Sequence, residues 1–294
     1  MAIRTLVAAP RFSVDPAEKW EVFLTEKDSL SYFEGTYASR PFTPRRFQDL
    51  PDGSWEALAD PCGIDDLHQV LVIPWAVRPV GLGRREVISP NSVLAVGTRA
   101  VGLWTEKPEP GTKVIIPVEQ VAALEDVIIL LYGKLSFIPF SQRLTIRYNT
   151  VCRRGFEPAL VELRKRLAGT PRHLAKVDVP ASNLSYKWKN ILNSAAVQLI
   201  QGAGVEYEFA SIPRRTRRGS ERFQLVALTP YELVILSDPE SDYLRYGEDS
   251  YIIPRGKLES VKSTEEGLEV LSNGTRLVLP VTRRLQETVL LWMR

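Results

Sequence analysis

Short apolar runs separated by turn residues dominate the pattern of hydrophobic and polar positions along the chain. Runs of about four to eight apolar or β-branched residues, bounded by Gly, Pro, Asn or Asp, are typical of β-strands. Longer segments in which apolar positions recur every three or four residues are typical of helices. The pattern therefore predicts a mainly β (α+β) protein with few helices.

The predicted strands fall into two groups. The first group comprises Leu67 to Val77, Val87 to Ser89, Ser92 to Val96, Ala100 to Trp104, Val114 to Ile116, Val127 to Tyr132, Leu135 to Phe140 and Leu144 to Tyr148. The second group comprises Val205 to Ile212, Phe223 to Leu228, Glu232 to Leu236, Ser250 to Ile253, Leu258 to Ser263, Leu268 to Leu271 and Arg276 to Leu279. The dipeptides Gly133-Lys134 and Asn273-Gly274 are predicted as two-residue hairpin turns within these groups.

A helix is predicted after each group of strands. Glu157-Pro158 opens the first helix, which places Leu160, Leu163 and Leu167 on one face. Thr282 is the expected N-cap of the second helix, which runs to the last residue. Further helical segments are predicted after Asp15-Pro16, at Ser54 to Leu58 and at Tyr186 to Gln201.

The two groups are copies of one pattern. The segment VIIPVEQV at 114–121 returns as YIIPRGKL at 251–258, and the apolar segment 92–103 parallels 224–235. A repeat of this length indicates two copies of one domain rather than a solenoid of short units. We therefore predict an N-terminal extension with one helix (1–61), a first domain (62–169), a linker (170–183) and a second domain (184–294).

Composition and charge fit an ordinary globular chain and point to no particular partner. The formal net charge of +3 is too small to signal nucleic-acid binding by itself. Cys62 and Cys152 have no metal-ligand spacing, which favours a reducing compartment. The longest apolar stretch, Val127 to Tyr132, is far shorter than the ~20 residues of a membrane span. With no signal-peptide core at the start, we expect a cytoplasmic protein.

About seven short antiparallel strands closed by one C-terminal helix, seen twice, resemble the pleckstrin-homology-like (PH-like) superfamily, which includes the bacterial PH-like and GRAM-type domains. Trp292 lies in the closing helix, where many PH domains carry a tryptophan. The resemblance implies two β-sandwich or partial-barrel domains, each with a helix that covers its open corner. It also implies that the first hairpin loop can supply basic residues for phosphorylated lipid headgroups.

Arginines cluster in the first hairpin loop of the second copy. The cluster comprises Arg214, Arg215, Arg217, Arg218 and Arg222, and the equivalent loop of the first copy holds Arg78, Arg84 and Arg85. Guanidinium groups donate paired hydrogen bonds to phosphate oxygens and are attracted to anionic membranes. The loop is therefore a candidate site for an anionic lipid surface or an acidic protein partner, and the alternative is a solvated loop without a ligand. Nucleic acid is the least favoured ligand because no aromatic residue interleaves the arginines.

The sequence offers no motif for catalysis. Gly81-Leu82-Gly83 lacks the third glycine of a dinucleotide-binding loop, and the spacing of Cys152 and His173 does not support a nucleophile and base. The other histidine, His68, has no such partner either. Three acidic pairs are predicted at turns or strand ends, in water: Asp65-Asp66, Glu125-Asp126 and Glu265-Glu266. We therefore expect a protein that is not an enzyme and that uses no metal or cofactor.

The hairpin 127–140 is rich in apolar residues on both faces, which is unusual for a strand pair that meets water. It is predicted to be buried against the other repeat or against a second chain. Two functional hypotheses follow. The first is a tandem PH-like scaffold that recruits a protein partner or an anionic surface through its basic loop, peripheral to the membrane in the second case. The alternative is a homo-oligomeric structural protein that assembles through this hairpin.

Overall fold

Antiparallel β-structure makes up most of the chain. The computed structural model describes residues 41–74, 76–79, 85–89, 91–106, 112–129, 132–139, 143–149, 153–167, 206–213, 221–237 and 247–294. These residues form antiparallel sheets of four, seven and three strands and a separate two-stranded hairpin, which confirms the mainly β prediction.

The elements follow the predicted order closely. The strands are β1 (Val70–Ile73), β2 (Ala76–Pro79), β3 (Arg85–Ser89), β4 (Ser92–Val96), β5 (Ala100–Thr105), β6 (Thr112–Pro117), β7 (Val121–Ile129), β8 (Tyr132–Pro139), β9 (Leu144–Asn149), β10 (Glu206–Pro213), β11 (Glu221–Leu228), β12 (Glu232–Ser237), β13 (Gly247–Pro254), β14 (Leu258–Ser263), β15 (Leu268–Ser272) and β16 (Thr275–Leu279). The helices are α1 (Ser54–Cys62), α2 (Arg153–Leu167) and α3 (Arg283–Trp292).

The same order of elements occurs twice. In the first half, a four-stranded run (β1, β4, β5, β6) precedes a three-stranded run (β7, β8, β9) and helix α2. In the second half, β10 to β13 precede β14 to β16 and helix α3. The small hairpin β2–β3 lies between β1 and β4, where the second half has the connection from β10 to β11. The repeat read from the sequence is therefore also a repeat of strand order.

Backbone irregularities recur at matching residues. A 3₁₀ turn follows β6 at Val118–Gln120, and another follows β13 at Arg255–Lys257. The next strand of each half then has a register shift, between Val121 and Ala123 in β7 and between Leu258 and Ser260 in β14. These positions coincide when 114–121 is aligned with 251–258, so the residue correspondence between the halves extends into β7 and β14.

Pairing of β7 with β13 joins the two halves. The two strands run antiparallel, with Ile252 opposite Leu124 and Gly247 opposite Ile129, and the result is a seven-stranded sheet in the order β10-β11-β12-β13-β7-β8-β9. Residues of both halves share one apolar core on a face of this sheet, among them Leu124, Phe137, Leu163, Leu225, Val234 and Ile252. The hairpin 127–140 is thus buried against the other half of the same chain.

The first predicted hairpin turn was wrong and the second was right. Gly133 and Lys134 lie inside β8, opposite Ile128 and Val127, so β7 and β8 connect three residues earlier than predicted, between Ile129 and Tyr132. The residues around the true connection are apolar, so the sequence has no turn signal there. Asn273-Gly274 does form the turn between β15 and β16, with the positive φ angles of 47° and 71° that this hairpin type requires.

Two of the helices deviate from the predicted bounds. Helix α2 begins at Arg153, about one turn before the predicted Glu157-Pro158 opening, and Pro158 lies inside it. Its apolar face is as predicted, with Leu160, Leu163 and Leu167 buried. In α3, Thr282 occupies the N-cap position, but its side chain makes no capping hydrogen bond. The segments predicted after Asp15-Pro16 and at Tyr186 to Gln201 lie outside the described residues.

Helix α1 packs on β4 and β5 at unusually short range. A Cβ atom at Gly97 would lie 1.8 Å from the carbonyl oxygen of Cys62. A Cβ atom at Gly102 would lie 2.5 Å from the Sγ atom of Cys62 and 2.7 Å from a methyl carbon of Leu58. The two glycines therefore permit the end of α1 to touch the sheet, and residues 54–62 are a packed layer of the first half.

Gly97→Ala is expected to destabilise the protein, because the new methyl group would meet backbone that cannot turn away. We expect the free energy of unfolding to fall by about 2–3 kcal/mol, measured by urea denaturation followed by circular dichroism. Gly256→Ala is the matched control, since no heavy atom lies within 4 Å of a Cβ atom there. Equal losses in the two variants would contradict the close approach of α1.

Candidate functional site

Both groups of predicted basic residues belong to connections between strands. In the second half, β10 and β11 pair up to Pro213 opposite Glu221, with Arg222 opposite Ile212. The arginines of the intervening loop, Arg214, Arg215, Arg217 and Arg218, lie outside the described residues. In the first half, Arg78 stands opposite Glu86 and Arg85 opposite Pro79 at the end of the β2–β3 hairpin, and Arg84 lies outside the described residues.

The two basic connections occupy equivalent places. Each joins the first strand of a four-stranded run to the second, β1 to β4 in the first half and β10 to β11 in the second. Strand β10 is an outer strand of the seven-stranded sheet. The segment 214–222 has five arginines and one glutamate, and its charge of +4 exceeds the formal net charge of the whole chain, +3. Positive charge is therefore concentrated at one edge connection.

Helix α3 fixes the strands beneath the second connection. The Gln224 side chain on β11 accepts a hydrogen bond from the backbone N–H of Thr282 (2.9 Å) and donates one to the Pro280 carbonyl (2.6 Å). Arg284 on α3 forms an ion pair with Glu208 on β10 (2.5 Å). These bonds join α3 and the residues just before it to both strands that flank the basic loop.

A polar cluster lies buried at the junction of the halves. Tyr251 on β13 donates a hydrogen bond through its hydroxyl group to the carboxylate of Glu125 on β7, at 2.9 Å. The other oxygen of Glu125 pairs with Arg143 and lies 3.9 Å from the Nζ atom of Lys134. Glu125 is 0% exposed, so this carboxylate is balanced by charge inside the protein.

This cluster corrects the sequence-based prediction for Glu125-Asp126, which were expected in water at a strand end. Both are buried in the middle of β7. The prediction began the strand at Val127, whereas the strand begins at Val121. An earlier start would have placed Glu125 inside the strand, but its partner Tyr251 is 126 positions away and could not have been named. Glu265-Glu266 are exposed at a turn, as predicted.

A second buried ion pair joins helix α2 to the second half. The Nε atom of Arg164 donates to Oε1 of Glu232 on β12 at 2.8 Å, and Nη2 contacts the other carboxylate oxygen. The Arg164 side chain is 1% exposed, and among the described residues its Nη1 atom has no hydrogen-bond partner. The burial of Arg164 could have been predicted, because this residue falls on the buried helix face defined by Leu160, Leu163 and Leu167.

The 3₁₀ turns of the two halves also meet. Lys257 donates from Nζ to the carbonyl oxygens of Val118 (2.6 Å) and Val121 (3.0 Å). Burial lowers the pKa of Lys257 to about 8, and the nearby Glu119 carboxylate partly offsets this effect. Asn273 donates to the Glu119 carbonyl at 2.8 Å. Backbone carbonyls of the first half are therefore satisfied by side chains of the second.

Among the described residues outside the junction, the titratable groups show no arrangement typical of catalysis. Burial raises the pKa of the Cys62 thiol to about 11, so it stays protonated at neutral pH. His68 is exposed in a 3₁₀ turn that Asp66 caps. Within the described ranges, three or more His, Cys, Asp or Glu residues never converge as metal ligands, and no helix is long and apolar enough to cross a membrane. Cys152 and His173 lie outside those ranges.

The chain matches no protein-family model and has no significant match among curated proteins.

Arg164→Met is expected to lower the free energy of unfolding by about 3–5 kcal/mol, because Glu232 would stay buried without its partner. Combining Arg164→Met with Glu232→Leu should recover most of the loss, since it removes both charges. Urea denaturation of the wild type, both single variants and the double variant gives the coupling energy. Additive single losses would show that the two side chains do not act as a pair.

The lowered pKa of Lys257 predicts that the stability of the protein depends on pH. Its pKa is about 8 in the folded protein against an ordinary value of 10.5, so the unfolded chain binds more protons between these pH values. The stability of the wild type relative to Lys257→Met should therefore rise as pH increases from 8 towards 10.5, and stay constant below pH 8. Paired urea denaturations at pH 7, 8, 9 and 10 measure this difference. A difference that stays flat over the whole range would contradict it.

Proposed function

We propose that the chain is a non-enzymatic binding protein built of two PH-like domains, which engages a phosphate-bearing anionic surface through the basic loop 214–222. The repeated order of four strands, three strands and one helix supports the PH-like architecture. The closing helix α3 supports it further, because Leu285 and Val289 are buried in the core of the second half and Trp292 packs against it.

The observation that carries the proposal is the place of the positive charge. A segment with a charge of +4 connects β10 to β11 at the outer edge of the sheet, and α3 contacts both of these strands. A concentrated charge attracts an anionic surface even when the net charge of the molecule is small. The arginines of the first half stand at the equivalent connection and would add a second, weaker contact.

Arginine favours phosphate over a carboxylate-rich protein surface in this setting. Its planar group donates two parallel hydrogen bonds to phosphate oxygens, and a lipid surface presents many phosphates at once. Each basic residue near an anionic membrane contributes about 1 kcal/mol. An acidic protein partner remains the alternative ligand for the same loop, and the experiment below distinguishes the two.

The alternative hypothesis, assembly through the hairpin 127–140, has less support. Val127, Leu135, Phe137 and Ile138 are buried within the chain, and β7 has strands on both sides. The apolar surface that motivated the hypothesis is therefore covered by β13 and the shared core. The binding hypothesis instead draws on the segment between the end of β10 at Pro213 and the start of β11 at Glu221.

Reversing Arg214, Arg215, Arg217 and Arg218 to Glu should abolish binding to anionic vesicles. At about 1 kcal/mol per arginine, the loss of attraction alone weakens binding by roughly 1,000-fold. Co-sedimentation with phosphatidylcholine vesicles containing 0–40% phosphatidylserine, at low and high salt, measures it. The wild type should bind more as the anionic content rises and less as salt rises.

The control reverses four exposed arginines outside the loop to Glu: Arg45, Arg46, Arg283 and Arg294. It has the same net charge as the loop variant and should keep most of the binding. Equal losses in both variants would show a non-specific charge effect and refute the loop as the site. Wild type that binds no vesicle but captures an acidic polypeptide through the same arginines would point to the protein partner instead.

A further inference from the structure

Strands β6 and β14 are outer strands of their sheets, although the equivalent strand in the other half is paired on both sides. Among the described residues, β6 pairs with β5 alone and β14 with β15 alone. Their counterparts in the other half, β13 and β7, pair with each other. The remaining outer strands of the repeats, β1 with β10 and β9 with β16, are outer strands in both halves. Among the described residues, β6 and β14 are therefore the strands that are outer strands in one half while their counterparts in the other half are paired on both sides.

The counterparts match residue by residue. Aligning 114–121 with 251–258 superimposes the 3₁₀ turns Val118–Gln120 and Arg255–Lys257. The register shift that follows each turn falls at matching residues of β7 and β14. Strand β14 thus has the same start and the same irregularity as the strand that docks on β13. Strand β6 ends in the same three residues, IIP, as β13, which is the strand that pairs with β7.

We propose that β14 of one copy of this chain pairs antiparallel with β6 of a second copy, and so repeats between molecules the β7–β13 pairing that joins the halves. Moving the observed pair Ile252 and Leu124 to their counterparts places Ile115 opposite Val261. Both side chains are apolar and half-buried, as an edge position that can be covered requires. An outer strand offers backbone groups for such pairing.

This contact is weaker than the junction within the chain, because its polar partners are missing. In the alignment of the two halves, Val114 corresponds to Tyr251 and Lys262 corresponds to Glu125. Ala100 corresponds to Glu232. The intermolecular pair therefore has neither the buried hydroxyl–carboxylate bond nor the acidic partner of Arg164. Association should be reversible and should depend on protein concentration.

The proposed contact joins two different strands, β6 of one copy and β14 of the other. It can close a ring, extend as a filament or occur twice in a two-fold dimer. This property gives a sharp test. A cysteine on one strand alone cannot meet itself across the interface, whereas cysteines on the two strands can meet when two variants are mixed.

The experiment mixes Ile115→Cys with Val261→Cys under mild oxidation and scores disulfide-linked dimer on a non-reducing gel. Opposed residues of an antiparallel pair have Cα atoms about 4.5–5.5 Å apart, which a disulfide can bridge. The mixture should form the linked dimer. Each variant alone and the wild type, which controls for the native cysteines, should not. Lys113→Cys mixed with Val261→Cys is two positions out of register, and it should link at least several-fold less.

Analytical ultracentrifugation of the wild type from about 1 to 200 μM supplies an independent readout, with an average mass that rises with concentration. Thermal unfolding of each cysteine variant verifies that it folds. A wild type that stays monomeric over this range, or a disulfide that forms with Ile115→Cys alone, would overturn the proposal. Loss of vesicle binding in the arginine variant would leave it untouched, because the basic loop takes no part in the contact.

Discussion

The ladder between β7 and β13 is the constraint on which the rest of the molecule depends. It converts a three-stranded run of one half and a four-stranded run of the other into one sheet, and the shared core lies on a face of that sheet. The ion pair of Arg164 with Glu232 and the bonds of Lys257 to two carbonyls exist only while this ladder holds its register. The two halves therefore share one sheet and one core and are not two independent domains joined by a linker.

Buried polar side chains make that register specific. A slip of one residue would move Glu125 from its place beside Tyr251 to the opposite face of the sheet, where Leu124 and Ile252 pack in the core. An unpaired carboxylate in such surroundings costs several kcal/mol, so the slipped arrangement is excluded. The apolar residues of β7 and β13 supply affinity, and the carboxylate and the hydroxyl group select one alignment.

The sequence predicted what is local and missed what is distant. Alternation and turn residues located nearly every strand, and Asn273-Gly274 located a hairpin, because these signals act within a few residues. Gly133-Lys134 misled, because glycine inside a strand has the same signature as glycine at a turn. Glu125 and Arg164 have their partners in the other half, and periodicity along the chain identifies neither partner. The arginine loop could be found from composition, but its ligand could not, since phosphate and carboxylate attract the same side chain.

The pairing of β7 with β13 cannot form until both strands have been synthesised. The Glu125 carboxylate and the Tyr251 hydroxyl group are 126 positions apart in the chain. At a translation rate of about 5–20 residues per second, β7 leaves the ribosome roughly 6–25 s before its partner strand. For that interval the first half has an open, apolar edge, and it cannot reach its final packing. The nascent chain is most exposed to wrong pairing during this wait, and a neighbouring chain on the same messenger, which presents its own β13, is the nearest competitor for that edge.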